Sequence, residues 1–291
     1  MENVIEVRNL VKSYKSFKLN SISFDIPKGM IVGLIGGNGS GKTTIMKCIL
    51  SLIFKNSGEI HIFSKNNDEL TLEEKEKIGV VLDENCLPSN IRVSFLDRIF
   101  KNSFKTWNSK KYFELLAKFN VDSSKRVKEL SKGMKAKLNI AIALTRDVKV
   151  LILDEPVNGL DPLSRDELND ILLNFVKDKE HSVLISSHIL SDIEIISDKI
   201  IFIDKGSIVK IGLITDFKDK YDVVTLSKEQ YDNLNKENVF SHKINGDIYT
   251  CLVRKGTVNE YIKCRSASLE DIMVFYLKGI KDEGTFNQRI L

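Results

Sequence analysis

The stretch "GGNGSGKT", Gly36 to Thr43, fits the spacing G-x-x-x-x-G-K-[ST], and that spacing has a chemistry of its own. Gly36, Gly37, Gly39 and Gly41, with Asn38 and Ser40 between them, let backbone N–H groups converge on a β-phosphate. A helix starting at the end of the loop aims the positive end of its dipole at the same point. Lys42 then reaches β and γ oxygens, the Thr43 hydroxyl ligates Mg²⁺, and Thr44 caps the same turn near the α-phosphate. A glycine-rich turn arising by accident would not also sit between an apolar strand and a helical run, as this one does.

The stretch "VLILDEP", Val150 to Pro156, supplies the acids such a site needs. Its apolar residues read as a buried strand, so Asp154 and Glu155 emerge at the carboxyl end, where open α/β sheets bind ligands. Asp154 suits the Mg²⁺ sphere through water, and Glu155 suits a base that polarises water. Alone, the string also describes a strand ending in a solvated acidic turn. Beside a phosphate loop it points to phosphoryl transfer from ATP to water, a reaction catalysed chiefly by positioning and charge.

The surrounding pattern says what positions these groups. "VIEVRNLVKSY" and "LNSISFDIPKG" alternate as an antiparallel strand pair, "MIVGLIG" is a buried strand entering the loop, and "KTTIMKCILSLIF" is helical after it. "SGEIHIFSK" and "KIGVVLDEN" read as further strands. From Ile91 to Lys128 the period is helical, with Ser109 as N-cap of "KKYFELLAKFN". Next come a helix in "SKGMKAKLNIAIALTRD", the "VLILDEP" strand, a helix opening on Asp161-Pro162, the strand "HSVLISSH" and a hairpin around Lys205-Gly206. Strands alternating with helices imply an α/β fold with a mainly parallel core sheet. An antiparallel β-subdomain leads it, and a helical subdomain over about 88–135 interrupts it. Residues 1–214 form this body, and 215–291 a small α+β appendage. The appendage has a hairpin turning at Asn245-Gly246 and a helix "SLEDIMVFYLKG" behind Ser268 and Asp271.

Composition removes several function classes. Apolar residues at 42% and charged ones at 29% are globular values, which excludes a disordered chain. The 44 Lys and Arg against 40 Asp and Glu are dispersed, so charge gives no reason to expect nucleic acid as a partner. Cys48, Cys86, Cys251 and Cys264 lack metal-ligand spacing and suit a reduced, cytosolic setting. "MENVIEVRNL" has no apolar signal core, and runs such as "VLIL" are far below the ~20 residues of a membrane span.

Taken together, "GGNGSGKTT", "LSKGMK", "VLILDEP", "NGLDP" and "SSH" resemble, in order and approximate spacing, the ATP-binding cassette ATPases, the nucleotide-binding subunits of ABC transporters. The likeness covers about residues 1–212. It implies that Tyr14 stacks on adenine and that His188 bridges the γ-phosphate and Glu155, although a strand-end histidine by itself is more often a packing or surface residue. It implies that Ser131 and Gly133 of the signature turn bind the γ-phosphate of ATP held by a second subunit, with Asp161 linking the two sites across a head-to-tail dimer. Alone, Ser131 and Asp161 read as helix caps. The signature departs from LSGGQ at Lys132 and Met134, and the Q-loop glutamine is replaced by Asp83, which would still help hold Mg²⁺ or water.

The "SKGM" form and the stretch "FKTWNSKKYFELLAKFNVDSSKRVKELSKGMKAKL" resemble ABC-2 type ATPases that drive export of antibiotics and antimicrobial peptides, including those of bacitracin and lantibiotic resistance. Trp107, Phe113 and Phe119 are then packing residues. The implied activity is ATP hydrolysis at the cytoplasmic face of the membrane, peripheral to separate membrane-spanning permease subunits. Two other readings stand beside it. A soluble ABC ATPase on ribosomes or DNA is disfavoured by a single cassette without a coiled coil. An ATP-sensing module that scarcely hydrolyses is kept open by Asp83.

Overall fold

Residues 2–82, 87–158, 160–259 and 262–280 are described by the computed structural model. Alternating side chains build β1 (Asn3–Ser13) and β2 (Lys18–Pro27) as an antiparallel pair, with Ile5, Val7, Leu10, Ile22 and Ile26 on the buried face. The buried strand β3 (Ile31–Ile35) runs into the glycine loop, and α1 (Lys42–Ile49) leaves it. The sequence pattern extends this helix to Phe54. It stops at Ile49 because Ser51 turns left-handed (φ 54°), which leaves Leu52 and Phe54 exposed.

Next come β4 (Ser57–Ile62), β5 (Lys65–Asn66) and α2 (Leu72–Glu76), and the first two complete a sheet of order β2-β1-β4-β5. Beyond β6 (Ile78–Val81) lie the helices α3 (Val93–Ser103), α4 (Ser109–Lys118) and α5 (Lys132–Leu144). The cap of α4 is Asn108, not Ser109. Asn108 is the extended residue, and its side chain accepts from Lys111 N–H at 3.0 Å, while Ser109 already lies in the first turn. Trp107 and Phe119 are buried, but Phe113 is 41% exposed on the outer side of α4.

Then follow β7 (Val150–Asp154), α6 (Pro162–Val176), β8 (Ser182–Ser187), α7 (Leu190–Ile196), β9 (Lys199–Asp204) and β10 (Ser207–Leu213). They assemble a 6-stranded sheet of order β10-β9-β3-β8-β7-β6 in which β6/β7, β7/β8, β8/β3 and β3/β9 are parallel. Every residue of β3, β7 and β8 is buried, which is why these strands read as unbroken apolar runs. Their register aligns Ile35 with Ser187 and Asp154 with Ser186. The phosphate loop, the acidic pair and His188 therefore leave the sheet at one end.

The chain divides into two compact units, 1–211 and 212–291, beside the boundary at 214 read from the change of pattern. The second unit contains α8 (Ile214–Lys218), β11 (Tyr221–Ser227), α9 (Lys228–Asp232), β12 (Val239–Asn245), β13 (Ile248–Arg254), β14 (Cys264–Ser266) and α10 (Leu269–Lys278). Its antiparallel sheet has the order β12-β13-β11-β14 and its own core around Val224, Tyr231, Val239 and Cys251. The hairpin turns at Gly246-Asp247, one residue later than expected, because Asn245 still pairs with Ile248 and Gly246 takes φ 60°. Ser268 and Asp271 form a reciprocal cap on α10, and the bond from Arg265 holds the Asp271 carboxyl down to about 2.

Candidate active site

Two glycines set the loop's shape. A Cβ on Gly36 would lie 2.3 Å from the Ile203 carbonyl oxygen and 2.5 Å from Ser40 Oγ, so no side chain fits. Gly41, at φ 114°, opens α1 without any side-chain cap, which leaves the first-turn amides free for an anion. Gly37, Asn38 and Gly39 are exposed, whereas Ser40 is buried and its carbonyl receives Gly206 N–H at 3.0 Å. This bond ties the loop to the β9–β10 turn.

Lys42 is only 6% exposed. Its Nζ donates to the carbonyl oxygens of Gly36 (2.7 Å) and Gly37 (3.3 Å) and lies 3.2 Å from Glu155 Oε1. The other carboxylate oxygen, Glu155 Oε2, is 2.7 Å from His188 Nδ1. Three side chains distant in sequence thus form a continuous polar line along the ends of β3, β7 and β8. Glu155 sits at φ 49°, a left-handed conformation uncommon outside glycine, so its side chain is re-aimed where the strand ends.

Asp154 is 1% exposed. Oδ1 accepts the Ser186 hydroxyl at 2.5 Å, while Oδ2 is buried and has no partner among the described residues. A buried carboxylate oxygen without a donor is costly in a dry site and fits the water shell of a divalent cation. The Thr43 side chain, which lines the nucleotide-sized cavity, fits the same cation as a hydroxyl ligand.

That cavity, of about 870 Å³, is lined by residues 38–44 together with Tyr14, Phe17, Glu155, Asn158 and His188. Tyr14 is half exposed at its mouth, held by its N–H on the Phe17 carbonyl at 2.7 Å. Sequence reasoning missed Phe17, Asn158 and Ser186. Phe17 has no motif around it, and its ring approaches within 2.8 Å of where a Gly41 Cβ would stand. Asn158 and Ser186 lie inside quoted motifs, yet only the fold shows them facing the site.

Ser131, Gly133 and Asp161 line no part of this cavity. Ser131 is exposed and caps α5, accepting Met134 N–H at 3.2 Å. A Cβ on Gly133 would stand 3.5 Å from Ser164 Oγ and 3.9 Å from Asp161 Oδ2, so the two segments are neighbours. Asp161 caps α6 through Ser164 N–H (3.0 Å) and receives the Ser164 hydroxyl (2.8 Å). These bonds, the backbone one foremost, hold its carboxyl below the ordinary range and keep it anionic. Asp83 lies outside the described residues.

Known proteins resemble this chain in sequence and fold. Residues 19–158 match the family described as ABC transporter. The lantibiotic transport ATP-binding protein SrtF of Streptococcus pyogenes is 38% identical over 245 residues, 83% of this chain and 97% of that protein. The bacitracin transport ATP-binding protein BcrA of Enterococcus faecalis is 35% identical over 215 residues, 72% of this chain and 69% of its own. A solved ATP-binding subunit of an ABC transporter superposes with a TM-score of 0.66 at 26% identity, over 74% of this chain and 92% of that one. A dimeric ATP-binding cassette bound to ADP and phosphate after hydrolysis superposes with 0.65 at 20% identity, over 72% and 98%, which shows the shared fold. With its phosphate loop, acidic pair and strand-end histidine assembled at one end of a parallel sheet, this chain belongs to the ABC transporter family as an ATP-binding subunit.

Proposed function

We propose that this ATPase powers export of a peptide or antibiotic through separate membrane-spanning subunits, acting as one half of a cassette dimer at the cytoplasmic face of the membrane. The observation that carries the hydrolysis is the line Lys42–Glu155–His188, with contacts of 3.2 and 2.7 Å. The export role rests on likeness to the lantibiotic and bacitracin transport proteins.

Each residue has a role in that reading. The loop amides and Lys42 bind the β- and γ-phosphates, and the half-exposed Tyr14 ring stacks on adenine. Glu155 polarises the attacking water in line with the γ-phosphate. His188, whose Nδ1 lies 2.7 Å from Glu155 Oε2, bridges that carboxylate and the γ-phosphate. Thr43, and Asp154 through water, would hold Mg²⁺, which would supply charge neutralisation for the phosphates when bound. The family likeness assigns Asp83, at the position of the Q-loop glutamine, to the same cation or water.

The signature turn serves the partner's nucleotide, since Ser131 and Lys132 are exposed and the turn is absent from this chain's own cavity. Ser131→Arg, in a Glu155→Gln background, is expected to keep monomer ATP affinity within about twofold, because the lost cap costs only about 1 kcal/mol and sits elsewhere. It is expected to abolish ATP-driven dimerisation in sedimentation velocity. Loss of monomer binding would refute the assignment of Ser131.

A membrane subunit has an apolar face available. Leu52 lines a groove of about 290 Å³ with Ile49, Leu70, Ile78 and Val80, and Phe54, two residues further along the chain, is 92% exposed. Affinity purification of the Glu155→Gln chain from native membranes with ATP is expected to bring down a membrane-spanning protein, and Phe54→Asp to lose it while retaining ATP binding. Recovery of soluble material alone would sink the export reading.

A further inference from the structure

We infer that Ser186 is a positioning residue for the acidic pair: it selects which oxygen of Asp154 faces the hydrated cation and anchors Glu155 in its left-handed turn. The inference rests on the reading of Asp154 as a ligand of the Mg²⁺ water shell.

The parallel register of β7 and β8 places Ser186 directly opposite Asp154, with Ser186 fully buried. A serine hydroxyl has one proton to donate and two lone pairs to accept with. The proton goes to Asp154 Oδ1 at 2.5 Å, and a lone pair receives Glu155 N–H at 2.9 Å. One Ser186 hydroxyl thus meets Asp154 at its carboxylate and Glu155 at its backbone N–H.

The consequence for Asp154 is asymmetry. Oδ1 is satisfied by the hydroxyl and Oδ2 is left buried without a donor among the described residues, so the negative charge is presented from one fixed oxygen. Without the hydroxyl both oxygens compete for the cation's waters and the carboxylate is free to turn. Glu155 N–H also loses its acceptor, which loosens the strained backbone that aims the base. The adjacent Ser187 is equally buried but does different work: its hydroxyl exchanges bonds with Ile189, accepting N–H at 2.9 Å and donating to C=O at 3.2 Å. The serines of "SSH" therefore divide between the acidic pair and the turn that carries His188.

The test is equilibrium binding of a fluorescent ribose-labelled ATP while Mg²⁺ is titrated, with melting curves checking the fold. Ser186→Ala is expected to raise the Mg²⁺ concentration for half-maximal gain in nucleotide affinity about tenfold, the size of one hydrogen bond to a charged group. Affinity without Mg²⁺ should stay within about twofold, Ser186→Thr should restore the Mg²⁺ response, and Ser187→Ala should leave it at the wild-type value. A Ser186→Ala titration that superimposes on wild type, or one weakened equally without Mg²⁺, overturns the inference. Asp154→Asn separates the layers. An unchanged Mg²⁺ response there defeats the reading of Asp154 itself, whereas its loss beside a normal Ser186→Ala defeats only the role of Ser186.

Discussion

Glu155→Gln is expected to lower ATP turnover by about 10²- to 10⁴-fold, the usual contribution of a positioned general base, while ATP affinity changes by only a few fold. The substitution keeps shape and removes charge. Glutamine can still contact Lys42 and His188, which lie 3.2 and 2.7 Å from the carboxylate oxygens, but it cannot draw a proton from water. Single-turnover phosphate release read beside a binding titration separates these effects. Turnover within threefold of wild type would remove Glu155 from the chemistry and favour a site that uses ATP only as a signal.

Lys42→Ala is expected to act on the other measurement, lowering ATP affinity about 100-fold. The Nζ it removes is nearly buried, between the carbonyls of Gly36 and Gly37 and the Glu155 carboxylate. Losing a charge-assisted hydrogen bond to a phosphate oxygen costs up to about 3 kcal/mol, and each 1.4 kcal/mol is tenfold in affinity. The loop itself should persist, because its shape comes from the Gly36 contact, the left-handed Gly41 and the Ser40–Gly206 bond. Melting curves should therefore move little against the large change in binding. ATP affinity within threefold of wild type would be incompatible with Lys42 as the phosphate-binding cation.

These two variants separate steps that one cavity performs. Lys42 acts on a charge present in the bound substrate and in the transition state alike, so its loss is felt in binding. Glu155 acts on a water that becomes nucleophilic only during reaction, so its loss is felt in turnover. His188 is tied to the second group rather than the first through its bond to Glu155 Oε2.

The sequence alone was enough for whatever depends on neighbours along the chain. Gly36 to Thr43 reads as a phosphate loop because its backbone must turn tightly and end on a helix, and both requirements are local. Fully buried strands announce themselves as apolar runs, so β3, β7 and β8 were visible with the loop, acids and histidine at their ends. Local boundaries were harder: α1 stops at a left-handed Ser51 that helical periodicity does not register, and the α4 cap falls on Asn108 beside a serine of equal propensity. What only tertiary structure decided is which of these ends face one another and which atoms they share. The parallel register sets Asp154 opposite Ser186, closes Lys42, Glu155 and His188 into one line, and leaves a single Asp154 oxygen without a donor among the described residues. It also gathers Ser131, Gly133 and Asp161 elsewhere, outside the cavity that the rest of the motifs build. The physical reason is that strand pairing and hydrogen bonding between residues far apart in the chain depend on the register of the whole sheet, which no short window of sequence contains.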